Sequence, residues 1–354
     1  MITLPHIKLT ISALAAVLLA VVPSHGAERE LIQPGMPWLD TEGIHINAHG
    51  FAIVEHEGKY YWYGSQKIPG KTESEKNEAG VSCYTSTDLL NWKNEGLVFS
   101  VSGDGQHQEV AKAGILDRPK VFFNSSTRKF IMHFKLYPPQ AAGGTKGTDV
   151  AYVGTASSSK PLGPFLYEGK YTGGGSPNGT GDFGIYQDEK GTFWHIAVRK
   201  PDKMLVCGKL TADGLRPAGE YTVMEGVTRA TEAPVAFRCA GKIYLFASGS
   251  TGWNPNPTRM FVADHLVGPY ESLGNPCQGM NPHNKLGPEK SFGGQSTFVM
   301  PTPGRDDEWI AMFDIWKPED PINAGYIWLP LFFHEDKPVI RWQDGWAPTT
   351  AKLR

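Results

Sequence analysis

Ala52-Ile-Val-Glu-His-Glu-Gly-Lys-Tyr-Tyr-Trp-Tyr63 reads as a short apolar strand, a polar turn and a second strand rich in aromatics. Short runs of β-branched and aromatic residues bounded by Gly and charged residues are the pattern of a hairpin. The wording returns as Val121-Phe-Phe-Asn-Ser-Ser-Thr-Arg-Lys-Phe-Ile-Met-His-Phe134 and as Ile185-Tyr-Gln-Asp-Glu-Lys-Gly-Thr-Phe-Trp-His-Ile196. It returns again as Val235-Ala-Phe-Arg-Cys-Ala-Gly-Lys-Ile-Tyr-Leu-Phe246. A fifth copy runs Thr297-Phe-Val-Met-Pro301, a polar turn through Arg305, Asp306 and Asp307, then Trp309-Ile-Ala-Met-Phe313. The copies start roughly 50 to 70 residues apart, near the period of a four-stranded propeller blade.

The segments after each hairpin repeat more loosely. Cys83-Tyr-Thr-Ser-Thr-Asp88 with Trp92 corresponds to Gly154-Thr-Ala-Ser157 with Gly163-Pro-Phe165, and to Phe261-Val-Ala-Asp264 with Gly268-Pro-Tyr270. A third strand, a turn and an outer fourth strand fit each case. Helical periodicity is nearly absent after residue 26. The predicted class is all-β, a five-bladed β-propeller. A β-sandwich is the alternative, but five similar units favour radial closure, which leaves few exposed edges.

Upstream of the repeats, Lys8 precedes an apolar run from Ile11 to Val22, followed by Pro23-Ser24-His25-Gly26. A basic start, about a dozen apolar residues and small residues before a cut describe a secretory signal. The run is shorter than the roughly 20 residues of a spanning helix, which disfavours a membrane anchor. Residues 1–26 are therefore predicted as a signal peptide and 27–354 as a single catalytic propeller, secreted or periplasmic and monomeric. A net charge of −2 with 20% charged residues gives no electrostatic footprint for nucleic acid or an anionic membrane. Aromatics reach 11%, including 10 Trp and 13 Tyr, enough to leave rings for stacking on a neutral ligand. Cys83, Cys207, Cys239 and Cys277 form no CxxC pair, so neither metal nor cofactor is expected. Buried thiols or an undetermined disulfide pairing both fit them.

In a propeller the innermost strands surround a channel, and their starts meet in a pocket. The unit starts are Ile46-Asn47-Ala48-His49-Gly50, Leu116-Asp117-Arg118-Pro119-Lys120, Gly179-Thr180-Gly181-Asp182-Phe183, Ala230-Thr231-Glu232-Ala233-Pro234 and Phe292-Gly293-Gly294-Gln295-Ser296. Three carboxylates, Asp117, Asp182 and Glu232, thus occupy equivalent places in consecutive units. Hydrolysis of a glycosidic bond needs an acid for the leaving oxygen and a group that orients water. Glu232, set among small and apolar residues, is the preferred acid, with Asp182 holding its proton by like-charge repulsion. The plainer reading pairs these carboxylates with Arg118, Lys120 or Arg229. Trp253 and Asn254, on the loop from Ser248 to Pro257, are candidate sugar contacts. His49 is a candidate contact for a sugar hydroxyl or the attacking water.

Several stretches together resemble glycoside hydrolase family 43, in the branch that holds exo-β-1,3-galactanases and related arabinogalactan-degrading enzymes. They are Ile46–Gly50, Tyr60-Tyr-Trp-Tyr-Gly64, Arg118-Pro-Lys120, Glu232-Ala-Pro234, Ser248–Pro255, Phe292-Gly-Gly-Gln-Ser-Thr297, Asp314-Ile-Trp316 and Tyr326-Ile-Trp-Leu-Pro330. The resemblance implies a five-bladed propeller, inversion at the anomeric carbon and an exo-acting pocket. By it, Glu232 matches the general acid, Asp182 the carboxylate that tunes it, and Gln295 the residue that holds the attacking water. The first-blade position of the usual base falls in Asn47-Ala48-His49, which has no carboxylate. Asn47, Tyr63, Asp314 and Trp316 are expected to contact sugar, although Trp316 and Trp328 also suit a core.

The chain departs from that branch at Ser65-Gln66, where Glu-His is usual, and at Asp117, where Glu is usual. It departs again at Val198-Arg199-Lys200, where the branch has a Ser-Ser-Glu-like stretch. One pocket carboxylate is shortened, others are missing, and two cations arrive. The expected activity is exo-hydrolysis of β-1,3-galactan or arabinogalactan-type chains. An α-L-arabinofuranosidase or β-D-galactofuranosidase on the same scaffold, or a sugar-binding propeller without catalysis, are the alternatives.

Overall fold

The computed structural model describes residues 28–75, 78–101, 110, 115–137, 150–305 and 307–348. The signal peptide expected at 1–26 lies outside the described residues. Among those described, no helix is long and apolar enough to cross a membrane.

Five sheets form the ring, and each repeat of the sequence becomes one blade. Blade 1 holds β1 (His49–His56), β2 (Lys59–Lys67), β3 (Glu78–Ser86) and β4 (Lys93–Ser100). Blade 2 holds β5 (Ile115–Asn124), β6 (Lys129–Tyr137), β7 (Tyr152–Ser158) and β8 (Leu166–Thr172). Blade 3 holds β9 (Thr180–Gln187), β10 (Phe193–Arg199), β11 (Leu205–Lys209) and β12 (Thr222–Val223). Blade 4 holds β13 (Thr231–Cys239), β14 (Lys242–Gly249), β15 (Thr258–Ala263) and β16 (Glu271–Gly274). Blade 5 has β17 (Cys277–Gln278), β18 (Gln295–Pro301), β19 (Glu308–Ile315), β20 (Gly325–His334) and β21 (Lys337–Arg341). In that blade β17 runs parallel to β21 at the outer edge. Each quoted hairpin supplies the two inner strands of its blade.

Every seam between blades carries its own apolar cluster. The seam of blades 5 and 1 closes the ring with packed tryptophans: Trp328 lies tilted 4.8 Å from Trp62 and edge to face 4.7 Å from Trp38, ring centre to ring centre. Trp328 is core. Cys83, Cys207 and Cys277 are buried thiols, Cys239 is half-buried, and none is paired.

The seam of blades 2 and 3 is different. Its apolar cluster is small, Val153, Phe183, Ala197 and Val206, and two buried histidines fill the remainder. His133 lies 3.0 Å from the Tyr171 hydroxyl and 2.7 Å from the Gly214 carbonyl. That carbonyl only accepts, so Nε2 carries the proton and Nδ1 accepts from Tyr171. Burial pushes His133 down to about 4, against the pull of the carbonyl. A depressed histidine contributes stability that is full above its unfolded pKa and is lost as pH falls. Between pH 6.5 and about 4 the loss should approach about 3 kcal/mol. Denaturant titrations at pH 7 and pH 4.5 should show this fall, and His133→Gln, which does not titrate, should reduce it, the buried His195, also shifted down, supplying the remainder. A fall of equal size in the variant would assign the effect elsewhere.

Candidate active site

The innermost strands share an irregularity that aims the site. In β1, Gly50-Phe51 sit opposite one residue of β2; in β5, Arg118-Pro119 sit opposite one of β6. In β9, Gly181-Asp182 sit opposite one of β10, and in β13, Ala233-Pro234 opposite one of β14. These are bulges, which bend a strand and redirect its side chains. Gly50, Arg118 and Ala233 take left-handed φ of 63°, 51° and 51° respectively. Two of the three are not glycine, and such backbone strain concentrates at functional sites. Pro119 and Pro234 follow where the ladder is already interrupted, so their missing N–H is not needed. Asp117 and Glu232 stand immediately before their bulges, and Asp182 stands within its own.

Glu232 and Asp182 line one cavity of about 450 Å³ with Lys135, Asn178, Lys200, Lys203 and Ser250. Asp182 is buried and pairs with Arg118 Nε at 3.0 Å and Lys135 Nζ at 3.2 Å. Burial alone would raise its carboxyl, but Arg118 and then Lys135 overcome that and hold it below the ordinary value. Glu232 is half-buried, and its carboxyl is raised, first by burial and then by Asp182, against the pull of Arg118. Two carboxylates in one cavity are thus driven apart, one ionised and one inclined to keep its proton. For Asp117, burial also pushes upward, and Lys67, Arg118 and Lys135 together bring it below the ordinary value.

Gln295, the first residue of β18, bridges the site. Its Nε2 donates to Glu232 at 3.1 Å and to Ser248 Oγ at 3.0 Å. Its Oε1 accepts from Trp316 Nε1 at 2.8 Å and from the Arg118 guanidinium. Both ends of the amide are engaged, so its orientation is fixed. Arg118 also lies over the Trp316 ring, 5.1 Å from its centre. Trp253, 47% exposed, meets Trp316 edge to face at 5.5 Å. With Asn254, Gly294 and Gln295 these two rings border a small groove beside Glu232.

Four expected sugar contacts lie elsewhere. Asn47 clips the end of β2, donating to the Lys67 carbonyl and accepting from the Lys67 N–H, each at 2.8 Å. His49 is fully buried, stacked on Tyr326 at 5.2 Å with Nδ1 3.5 Å from Asp314. Asp314, equally buried, accepts from the Gly50 N–H at 2.9 Å and from Thr297 Oγ1 at 2.8 Å, which props blade 5 against the bulge of blade 1. Tyr63 packs in the seam of blades 1 and 2, its hydroxyl donating to the Pro161 carbonyl at 2.7 Å. Of the suggested cation partners, only Arg118 pairs with a site carboxylate. Lys120 instead donates to the carbonyls of Gly50, Phe51 and Thr297, and Arg229 to that of Asp202. Lys200 is one of the two cations expected from the Val198-Arg199-Lys200 departure, whereas Lys135 and Lys203 are additional cavity residues. Lys135 was discoverable, since it faces Asp117 directly in the register of β5 and β6.

The sequence profile of glycosyl hydrolases family 43 matches residues 44–314, from just before β1 to the end of β19. The chain belongs to family 43. Similar solved structures include a family-43 β-1,3-galactosidase with bound galactodeoxynojirimycin, 31% identical, covering 89% of this chain and 100% of that one, TM-score 0.77. The exo-β-1,3-galactanase of Phanerochaete chrysosporium, solved with galactose, is 28% identical over 90% of this chain and 68% of that one, TM-score 0.74. That of Clostridium thermocellum is 28% identical over 90% and 66%, TM-score 0.75. No curated protein matches the chain. As a family-43 member the protein is a glycoside hydrolase, and the propeller seen here is the family's.

Proposed function

We propose that this family-43 protein is an exported, exo-acting, inverting glycoside hydrolase that releases galactose from β-1,3-linked galactan. The observation that carries the reading is Glu232, raised by burial and by Asp182, at the wall of the cavity and held in place by Gln295. A carboxylic acid whose pKa is raised keeps its proton to higher pH and can deliver it to a departing glycosidic oxygen. The galactan specificity is supported by the similar solved structures, which are β-1,3-galactosidases and exo-β-1,3-galactanases.

In this reading Asp182 keeps the proton on Glu232 and Gln295 sets the carboxyl's direction. Water attacks the anomeric carbon from the opposite face. Gln295 contributes to orienting that water, but an amide N–H does not accept a proton. Asp117, held ionised by Lys67, Arg118 and Lys135, is the carboxylate suited to take it. Trp253 and Trp316 supply a platform for the sugar beyond the cleaved bond.

Purified protein should release galactose from β-1,3-galactan faster than it cleaves aryl arabinofuranosides or galactofuranosides. NMR of the first product should show the α-anomer from the β-linkage. A β-anomer in fresh product would require a covalent intermediate and would overturn the inverting mechanism.

A further inference from the structure

The cavity beside Glu232 carries more positive charge than its own carboxylates match. Asp182 is countered by Arg118 and Lys135, and Glu232 is the other carboxylate of the lining. Two further cations, Lys200 and Lys203, line the same cavity. They stand on the turn that follows β10, and the acid of that turn is not available to them. Asp202 is held by Arg199, with Nε at 3.0 Å and Nη2 at 2.6 Å from the same oxygen. Among the described residues, neither Lys200 nor Lys203 has an ion pair with a carboxylate.

The turn is also fixed in place. The Lys203 N–H donates to the Arg199 carbonyl at 2.9 Å, and the Lys203 carbonyl accepts from the Ala230 N–H at 3.0 Å. The Lys200 carbonyl accepts from Ser176 Oγ at 2.5 Å. Its ammonium donates to the Tyr137 hydroxyl at 3.1 Å and lies 5.3 Å from the centre of that ring, which leaves N–H groups for a ligand. Asn178 adds an amide to the same wall. Lys200, whose ammonium is held on Tyr137, and the solvent-exposed Lys203 thus rise from one hydrogen-bonded turn at the wall of a sugar-sized cavity, a place suited to a single negative charge carried on a sugar.

We propose that Lys200 and Lys203 form an anion subsite that selects galactan units bearing an acidic substituent, a uronate carboxylate or a sulfate ester. This rests on the carbohydrate reading of the Glu232 cavity and adds the substrate's charge to it.

The test compares three β-1,3-linked galactooligosaccharides of equal length: neutral, uronate-substituted and sulfated. Wild-type protein should favour at least one acidic substrate about tenfold in kcat/KM, mostly through KM. The preference should shrink as salt rises from about 50 to about 500 mM. In the double variant Lys200→Gln, Lys203→Gln the acidic-to-neutral ratio should fall to near one. In Lys200→Arg, Lys203→Arg it should return. Which acidic arm is preferred identifies the source of the charge.

Equilibrium binding to Glu232→Gln protein reads the same ratio without turnover. Equal handling of neutral and acidic substrates, or a preference that survives in the Gln double variant, overturns the subsite while hydrolysis of neutral galactan leaves the enzymatic reading standing. Acidic preference in binding with no hydrolysis of any arm overturns the enzymatic reading and supports the subsite.

Discussion

Glu232→Gln should lower turnover of β-1,3-linked galactan by about 10²–10⁴-fold, the usual contribution of a positioned general acid. The substitution keeps the shape of the side chain and an oxygen that accepts from Gln295 Nε2. It removes a group that repels Asp182, so folded stability should hold or rise slightly. What disappears is the transferable proton. A sugar leaving group departs as an alkoxide and needs that proton in the transition state. An aryl glycoside whose phenol has a low pKa does not, and its rate should fall much less.

The pH profile gives a second reading. In the parent protein the alkaline limb marks loss of the proton from Glu232, and in the variant that limb should be absent. Equal losses on alkyl and activated aryl substrates would mean that Glu232 is not the acid. Asp117 would then be the residue to replace next.

The legible part of the fold was the hairpin repeat, because inner strands of a propeller are buried and turn residues punctuate them. Reading the start of each inner strand found Asp117, Asp182, Glu232 and Gln295, which do share one charged network through Arg118. The same rule placed His49 in the pocket, and it failed there for a tertiary reason. His49 occupies the same place before its bulge as Asp117 and Glu232. Blade 5 covers it, however, with Asp314 and Tyr326 closing over the imidazole. How closely one blade leans on the next is not written in a strand's own alternation. Of the cavity cations, Lys200 was legible only as a departure from the family's wording, and Lys135 and Lys203 were missed for a different reason. Lys135 lies near the end of a second strand and Lys203 follows another, so a rule confined to first strands passes over them.

Asp182→Asn should damage both the fold and the chemistry, and the two effects are separable. In the parent protein Asp182 is held ionised by Arg118 and Lys135. Its depressed pKa contributes stability that is present above the unfolded carboxyl's pKa and is lost only in strong acid. At neutral pH the Asn variant leaves two buried cations short of a partner. Breaking such a pair costs about 3–5 kcal/mol, with Asp117 offsetting part of the loss because it also faces Arg118. Denaturant titration at pH 7 measures this directly. The chemical effect follows from the charge that Glu232 then faces. A like charge disappears, and Arg118 and Lys135, no longer neutralised, favour the ionised form of Glu232. Its pKa should therefore fall, and the alkaline limb of the activity profile should move toward acid. Activity at neutral pH drops accordingly, while the rate at the new, lower optimum recovers in part. A variant that loses stability but keeps the parent's alkaline limb would show that Asp182 only neutralises Arg118 and Lys135. In that case burial alone sets the proton on Glu232.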